Sequence, residues 1–240
     1  MEKDEIYATL NEAYFAENCH ERELLEDLPH LIAKARFFVD VGASLGQYTR
    51  AASRTMRGGR VLAIEADPVR HEELERNAVR WASETGCRID ALFAAAGDRP
   101  GEASFFTTYS NVSGALFSRG DEWKEIRVPA VTLDEVCGTE VPDFIKADVE
   151  GAELRMLKGA SRILAARRTV FLLELHPWDD PDAPGTESVT AHMRSHGYHP
   201  VAYFAHTLFL PLGPAYLRER AASDWRRLRA RLRRRAAQNQ

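Results

Sequence analysis

The sequence predicts an α/β fold on an open, mostly parallel sheet, and three observations carry that expectation. Short apolar runs such as "RVLAIEA" and "RTVFLLELHPW" recur with helix-like segments between them, the strand–helix–strand rhythm of a sheet buried on both faces. In "FFVDVGASLGQYT", Phe37 to Thr49, an apolar run ends in an acid and is followed by Gly42 and Gly46 ahead of a helix start. Such a turn lets a ligand approach the backbone and a helix N-terminus outside the carboxyl end of a strand. Finally, 240 residues of which 45% are hydrophobic suffice for one sizeable core, so a single α/β domain is expected.

Residues 1–36 read as a helical cap. Ile6, Leu10, Ala13 and Tyr14, then Leu24, Leu25, Leu28, Leu31 and Ile32, fall at helical spacing. A split is expected near Asn18 to His20, and Pro29 is expected to break or kink the second helix. The core domain, 37–213, opens with the strand and glycine turn and continues with a helix from Gln47 to Met56, ended by "RGGR". After a second strand, Arg60 to Ala66, Asp67 and Pro68 start a helix that Gly86 stops. Cys87 to Asp98 is expected as a third strand with a small, glycine-bearing loop, "AAAGD", after it. "GEASFFTTYS" and "KEIRVPAVTL" alternate like strands around the polar excursion "NVSGALFSRGDEW", which is placed near the ligand. Val141 to Ala160 reads as a fourth strand, an acidic turn and a helix, with Leu154, Leu157 and Ile163 facing inward. A fifth strand, a helix around Ser188 to His196 and an edge hairpin of "YHPVAYF" and "TLFLPL" complete the domain. In 214–240, Trp225, Leu228 and Leu232 form a narrow apolar stripe among arginines, the mark of an amphipathic helix.

Composition narrows the class. Cys19, Cys87 and Cys137 are odd in number and widely spaced, with no CxxC pair, so reduced thiols in a cytoplasmic protein are expected. No basic region followed by an apolar one opens the chain, and charge breaks every apolar run before membrane-spanning length. Net charge is −4, yet residues 215–240 hold nine arginines against Glu219 and Asp224. That tail is either a solvated helix face or a means of recruiting an acidic partner, RNA or an anionic surface.

The chemistry gathers at strand ends: Asp40, Glu65, Ala95 to Asp98 and Asp148, with Glu174 and His176 after the fifth strand. A carboxylate directly after the second strand suits both hydroxyls of a ribose, which makes Glu65 the ribose candidate. The first turn, Asp40-x-Gly42-x-x-x-Gly46, departs from the G-x-G-x-x-G that seats a pyrophosphate. An acid at that strand end repels a pyrophosphate and suits a cofactor carrying an amino group and a sulfonium, so S-adenosylmethionine is favoured over a nicotinamide dinucleotide.

Together "FVDVGASLGQYT", "VLAIEADP", "VTLDEV", "PDFIKADVEGAELRMLKGA" and "LLELHP" resemble the FkbM-type methyltransferase family, from about Phe37 to Pro177. "IKADVEGAE" is the most specific block. The resemblance implies a doubly wound, Rossmann-like seven-stranded sheet, S-adenosyl-L-methionine as methyl donor and a small-molecule acceptor hydroxyl, on a secondary metabolite or sugar. Carried over, Asp40, Gly42, Gly46 and Glu65 match the cofactor motifs, and Asp148, Glu150 and Gly151 match the motif after the fourth strand. Ala43, Tyr48 and Ala66, beside these residues, are expected to join the cofactor wall. "AAAGD" offers no polar side chain in its first positions, which leaves Asp98 or backbone groups to hold adenine.

In-line methyl transfer needs a group that takes the acceptor proton. His176 is one candidate, because its ordinary pKa near ~6.5 leaves a neutral fraction at pH 7; Asp148 is the other, and it is also a candidate ligand of the cofactor's amino group. Lys146 shares a strand face with Asp148 and either tunes it or pairs with it. Glu150, Glu174 and Trp178 are expected to meet the substrate. Asp148, Glu174 and His176 also offer ligands for a divalent metal, although no tight spacing demands one. Competing functions are N-methylation, RNA methylation aided by the basic tail, and a non-catalytic binding module. Oligomers are compatible with all of these.

Overall fold

The computed structural model describes residues 22–108, 114–116, 123–176 and 185–222. Helix α1 (Arg22–Leu31) runs through Pro29 and stops two residues later. Next come β1 (Phe37–Val41) and α2 (Gln47–Thr55), then β2 (Arg60–Glu65) and α3 (Pro68–Thr85). Asp67 caps α3 by accepting from the N–H groups of Val69 and Arg70 at 2.9 and 3.1 Å, an arrangement that stabilises a helix by about 1 kcal/mol. Gly86, at φ 68°, ends it. The chain continues through β3 (Arg88–Phe93), β4 (Ala95–Ala96), β5 (Gly101–Thr108), β6 (Gly114–Ala115) and β7 (Trp123–Val131). Then follow α4 (Leu133–Val136), β8 (Phe144–Ala147), α5 (Glu153–Lys158), α6 (Ser161–Ala165), β9 (Val170–Leu173), α7 (Gly185–Ser195), β10 (Tyr198–Tyr203) and β11 (His206–Pro211). Residues 214–222 are helical.

Seven strands form one sheet in the order β10-β11-β9-β8-β1-β2-β3. It is parallel except at β11, which runs antiparallel to both β9 and β10. From β1 the chain steps outward to β2 and β3, then returns to place β8 on the other side of β1. That reversal is the topological switch point, where successive connections diverge to opposite faces and a crevice opens outside the carboxyl ends.

All five residues of β1 are buried because its alternate side chains enter two layers. Phe37, Val39 and Val41 join Met156, Leu157, Ile163 and Met193 beneath α5, α6 and α7. Phe38 instead joins Leu24 and Leu28 of α1 and Tyr48, Ala52 and Met56 of α2 or its end, and it stacks on Phe144 at 5.5 Å. The doubly wound sheet expected from the sequence is thus present, as is the closing hairpin, with β10 at the edge.

One loop differs from expectation. β3 ends at Phe93, where the "AAAGD" loop was expected to begin, but that loop is itself partly a strand: Ala95–Ala96 pair with β7 in a second sheet, β4-β7-β5-β6. The break follows from pairing at both ends, since Ala94 N–H donates to Glu65 O at 3.1 Å while Gly97 N–H donates to Val131 O at 2.8 Å. Three alanines in succession let the backbone turn there without displacing bulk. The first N-terminal helix, Cys19, Trp178 and the tail beyond residue 222 lie outside the described residues. Cys87 and Cys137 are buried free thiols. Among the described residues no helix is long and apolar enough to cross a membrane.

Candidate active site

A cavity of about 240 Å³ opens at the switch point, outside the carboxyl ends of β1, β2 and β8. The β1–α2 turn forms one wall through Gly42, Ala43 and Ser44, with Tyr48 behind it. Glu65, Ala66 and Arg70 form the next wall, and Ala94, Ala95 and Ala96 follow. Phe105 and Leu116 reach in from the second sheet, the latter from the polar excursion. Lys146, Asp148 and Glu150 complete the rim.

Glu65 is 5% exposed. Its Oε2 accepts from Ser44 N–H at 2.7 Å and its Oε1 from Asp67 N–H at 2.8 Å, so the carboxylate ties the glycine turn to the start of α3. Each oxygen has two lone pairs and spends one on the backbone, which leaves capacity for two further donors. Burial pushes this carboxyl up from its ordinary value, against the pull of Arg70 and of the two N–H donors.

Three predicted cofactor residues lie elsewhere. Asp40, 0% exposed, is absent from the cavity wall. Its Oδ2 accepts from the Thr49 N–H and Oγ1 at 2.9 and 2.7 Å, under the first turn of α2. Strand alternation is the reason: Asp40 shares the Phe38 face of β1, which meets α2. It therefore secures a helix N-terminus. Asp40→Ala is expected to lower stability by about 1.5–3 kcal/mol and to leave S-adenosylmethionine affinity unchanged; urea unfolding and calorimetry read the two effects separately, and an intact midpoint with lost binding would reverse the assignment.

Gly46 is a packing residue: at φ 92° it precedes α2, and a Cβ there would meet Trp81 and Leu74 at 2.7 and 2.8 Å. Asp98 is exposed and off the cavity wall, because the chain has left the main sheet at Ala94. Ala94, Ala95, Ala96 and Phe105 line the cavity, which leaves the backbone groups of the alanines, the other adenine candidate, on its wall.

The acidic turn after β8 gathers the remaining candidates. Glu150 and Gly151 both hold positive φ, 52° and 101°, a sharp reversal that brings carboxylates back toward the sheet. His176, just past β9, directs Nδ1 at Glu153 Oε1, 2.8 Å away. Its Nε2 faces Glu150 Oε2 at 3.6 Å, Asp148 Oδ1 at 3.8 Å and Glu174 Oε1 at 3.9 Å. Burial alone would push this imidazole down, but the Glu153 hydrogen bond and the charges of Glu153, Asp148 and Glu150 together hold it above its ordinary value. Lys146, 3% exposed, lies 3.8 Å from Asp148 Oδ2 and 4.7 Å from the centre of the Tyr48 ring, so the predicted pairing of lysine and acid is present. Asp148, Glu174 and His176 offer ligand atoms all within 4.8 Å of one another.

Sequence reasoning missed two members of this cluster. Glu153, 2% exposed, reads in the sequence as an acid in a helix first turn; its partner is 23 residues away. His206, 3% exposed, reaches Glu174 Oε2 at 3.6 Å through Nε2. The antiparallel register that pairs Thr207 with Leu173 sets those two side by side, and no local pattern carries that register.

Residues 40–200 match the family model described as the methyltransferase FkbM domain. A comparison with curated proteins returned no match. Among solved structures, the chain is similar to a methyltransferase FkbM from Methylobacillus flagellatus KT, at 19% identity and TM-score 0.49, covering 73% of this chain. This chain spans 43% of that protein. It is also similar to a precorrin-6y C5,15-methyltransferase from Geobacter metallireducens GS-15, at 14% identity and TM-score 0.47, over 81% of this chain and 89% of the other. A third likeness is to an O-methyltransferase from Bacillus cereus solved in complex with SAH, at 12% identity and TM-score 0.46, over 86% and 89%.

Proposed function

The chain belongs to the FkbM methyltransferase family, and from that premise we propose that it transfers a methyl group from S-adenosylmethionine to a hydroxyl of a small molecule. The observation that carries this reading is that Glu65 and Asp148 line one cavity at the ends of β2 and β8, with the His176 imidazole 3.8 Å from Asp148.

The residues present fit the cofactor. Glu65 has lone pairs to accept from two ribose hydroxyls. Alanine backbone and the Phe105 ring offer a flat apolar slot for adenine, and the turn at Gly42 and Ala43 leads the methionine half toward Asp148 and Glu150. When bound, S-adenosylmethionine supplies an electrophilic methyl group on a sulfonium. Asp148 and Glu150 favour that positive charge near the rim. The acceptor hydroxyl sits over the same acids, and its proton passes to the cluster they form with His176. Because these groups interact at 3.6–3.9 Å, the proton belongs to the cluster rather than to one residue. Glu153 holds the imidazole with Nε2 toward the acids, which makes it a positioning residue.

Calorimetry with S-adenosylmethionine tests the cofactor assignment. Glu65→Ala is expected to weaken binding by about 10–100-fold, the loss of hydrogen bonds to a charged group, while the circular dichroism of the folded chain is retained. An unchanged dissociation constant removes Glu65 from the ribose role, and no binding by the folded wild type leaves a non-catalytic module. Incubating methyl-labelled cofactor with panels of polyhydroxylated acceptors, amines and RNA then separates O-methylation from its competitors.

A further inference from the structure

We propose that Asp148, Glu174 and His176 bind a divalent cation of the magnesium–manganese class. The site adjoins the methyl-donor cavity, so its catalytic meaning rests on the function proposed above, while the binding itself does not.

Ligands held about 2.0–2.6 Å from one cation stand no more than about 4–5 Å apart. The ligand atoms of these three residues meet that limit, all lying within 4.8 Å of one another. They come from separate elements, Asp148 from the end of β8 and Glu174 and His176 from the end of β9, so the sheet itself sets their separation.

Three further features point to a cation. Nε2 of His176 stands 3.6–3.9 Å from three carboxylates, too far for hydrogen bonds and suited to groups arranged around a shared centre. The opposite nitrogen is held by Glu153 at 2.8 Å, the carboxylate–histidine arrangement that fixes the tautomer of a metal ligand. Glu153 is itself held in place by the Gly151 N–H at 3.1 Å. Lastly, Asp148 Oδ1 is buried and makes no hydrogen bond among the described residues. The carboxylates gathered around this imidazole repel one another, and a divalent charge among them offsets that repulsion.

Two carboxylates, one imidazole and water suit magnesium or manganese better than a thiolate-seeking metal. On the rim of the cavity the cation would hold an acceptor oxygen and make its proton easier to lose, with His176 then serving as a ligand in place of the acid–base role it has without the ion. Glu150 and His206 flank the site from either side, at 3.6 Å from His176 and from Glu174 respectively.

The test is manganese binding to the full chain after exhaustive dialysis against a chelator, followed by calorimetry and by the electron paramagnetic resonance of the bound ion. One manganese per chain is expected. Glu174→Gln and His176→Asn should each weaken it at least about tenfold, and Glu153→Gln by about 10–100-fold with partial recovery in Glu153→Asp. Glu72→Gln, on the exposed face of α3, should bind like the wild type. Thermal midpoints of every variant separate lost ligands from lost fold. No saturable manganese site in the wild type, or unchanged affinity in folded Glu174→Gln and His176→Asn, overturns the proposal. S-adenosylmethionine binding measured on the same metal-free protein keeps the two readings apart: retained cofactor binding without manganese binding removes the cation alone.

Discussion

Replacing His176 by alanine is expected to lower methyl-transfer turnover by about 10²–10⁴-fold, the range that a positioned acid–base group contributes. Cofactor affinity should stay within about threefold, since a group acting only in the transition state lowers kcat without changing ground-state binding. The geometry sets this split. His176 touches the acids on the cavity rim, Asp148 and Glu150, and is not itself on the wall. Labelled-cofactor turnover with the acceptor found by the panel gives the first quantity, and calorimetry the second. Wild-type turnover in the folded variant would exclude His176 from the reaction. Equal losses in turnover and cofactor affinity would mean instead that the imidazole holds the acidic turn in shape.

Gly42→Ala should be the most damaging single-atom-scale change to the fold near the site. A Cβ at Gly42 would lie 1.8 Å from the Asp148 carbonyl oxygen, and the φ of 69° is one that an L side chain adopts at a cost. The obstacle is backbone, so relief requires moving the β8–α5 turn away from the β1–α2 turn. Overpacking and the left-handed conformation together amount to about 3–5 kcal/mol. The same movement displaces Asp148, so activity should fall with stability. Gly46→Ala is the internal comparison, because its Cβ would meet the ends of the Trp81 and Leu74 side chains, which can shift rotamer. Urea unfolding of both variants gives the ranking, and a Gly42→Ala midpoint equal to the wild type would refute the close approach.

The origin of these effects explains what could be read in advance. Strand and helix positions were legible because β1 is a short apolar run buried throughout, because apolar residues recur at helical spacing along α1, and because Asp67, Pro68 and Gly86 mark the ends of α3. Glu65 was legible as an acid at the cavity for a similarly local reason: it stands at the carboxyl end of the second strand. The direction in which Asp40 faces was not legible, because a strand-end acid can face either layer, and only the placement of α2 over the Phe38 face decides which. That Asp98 lies off the cavity wall was not legible, because the break at Ala94 depends on pairing with β7, more than thirty residues onward.

The sequence by itself determined the doubly wound sheet, the glycine turn and the family, all of which rest on patterns spanning a few residues. The tertiary structure decided that Gly42 serves a backbone contact, that Asp40 belongs to a helix N-terminus, and that Glu153 and His206 join Asp148, Glu174 and His176. Those outcomes depend on strand register and on which sheet face each helix covers, and contacts set by register have no local signature in the chain.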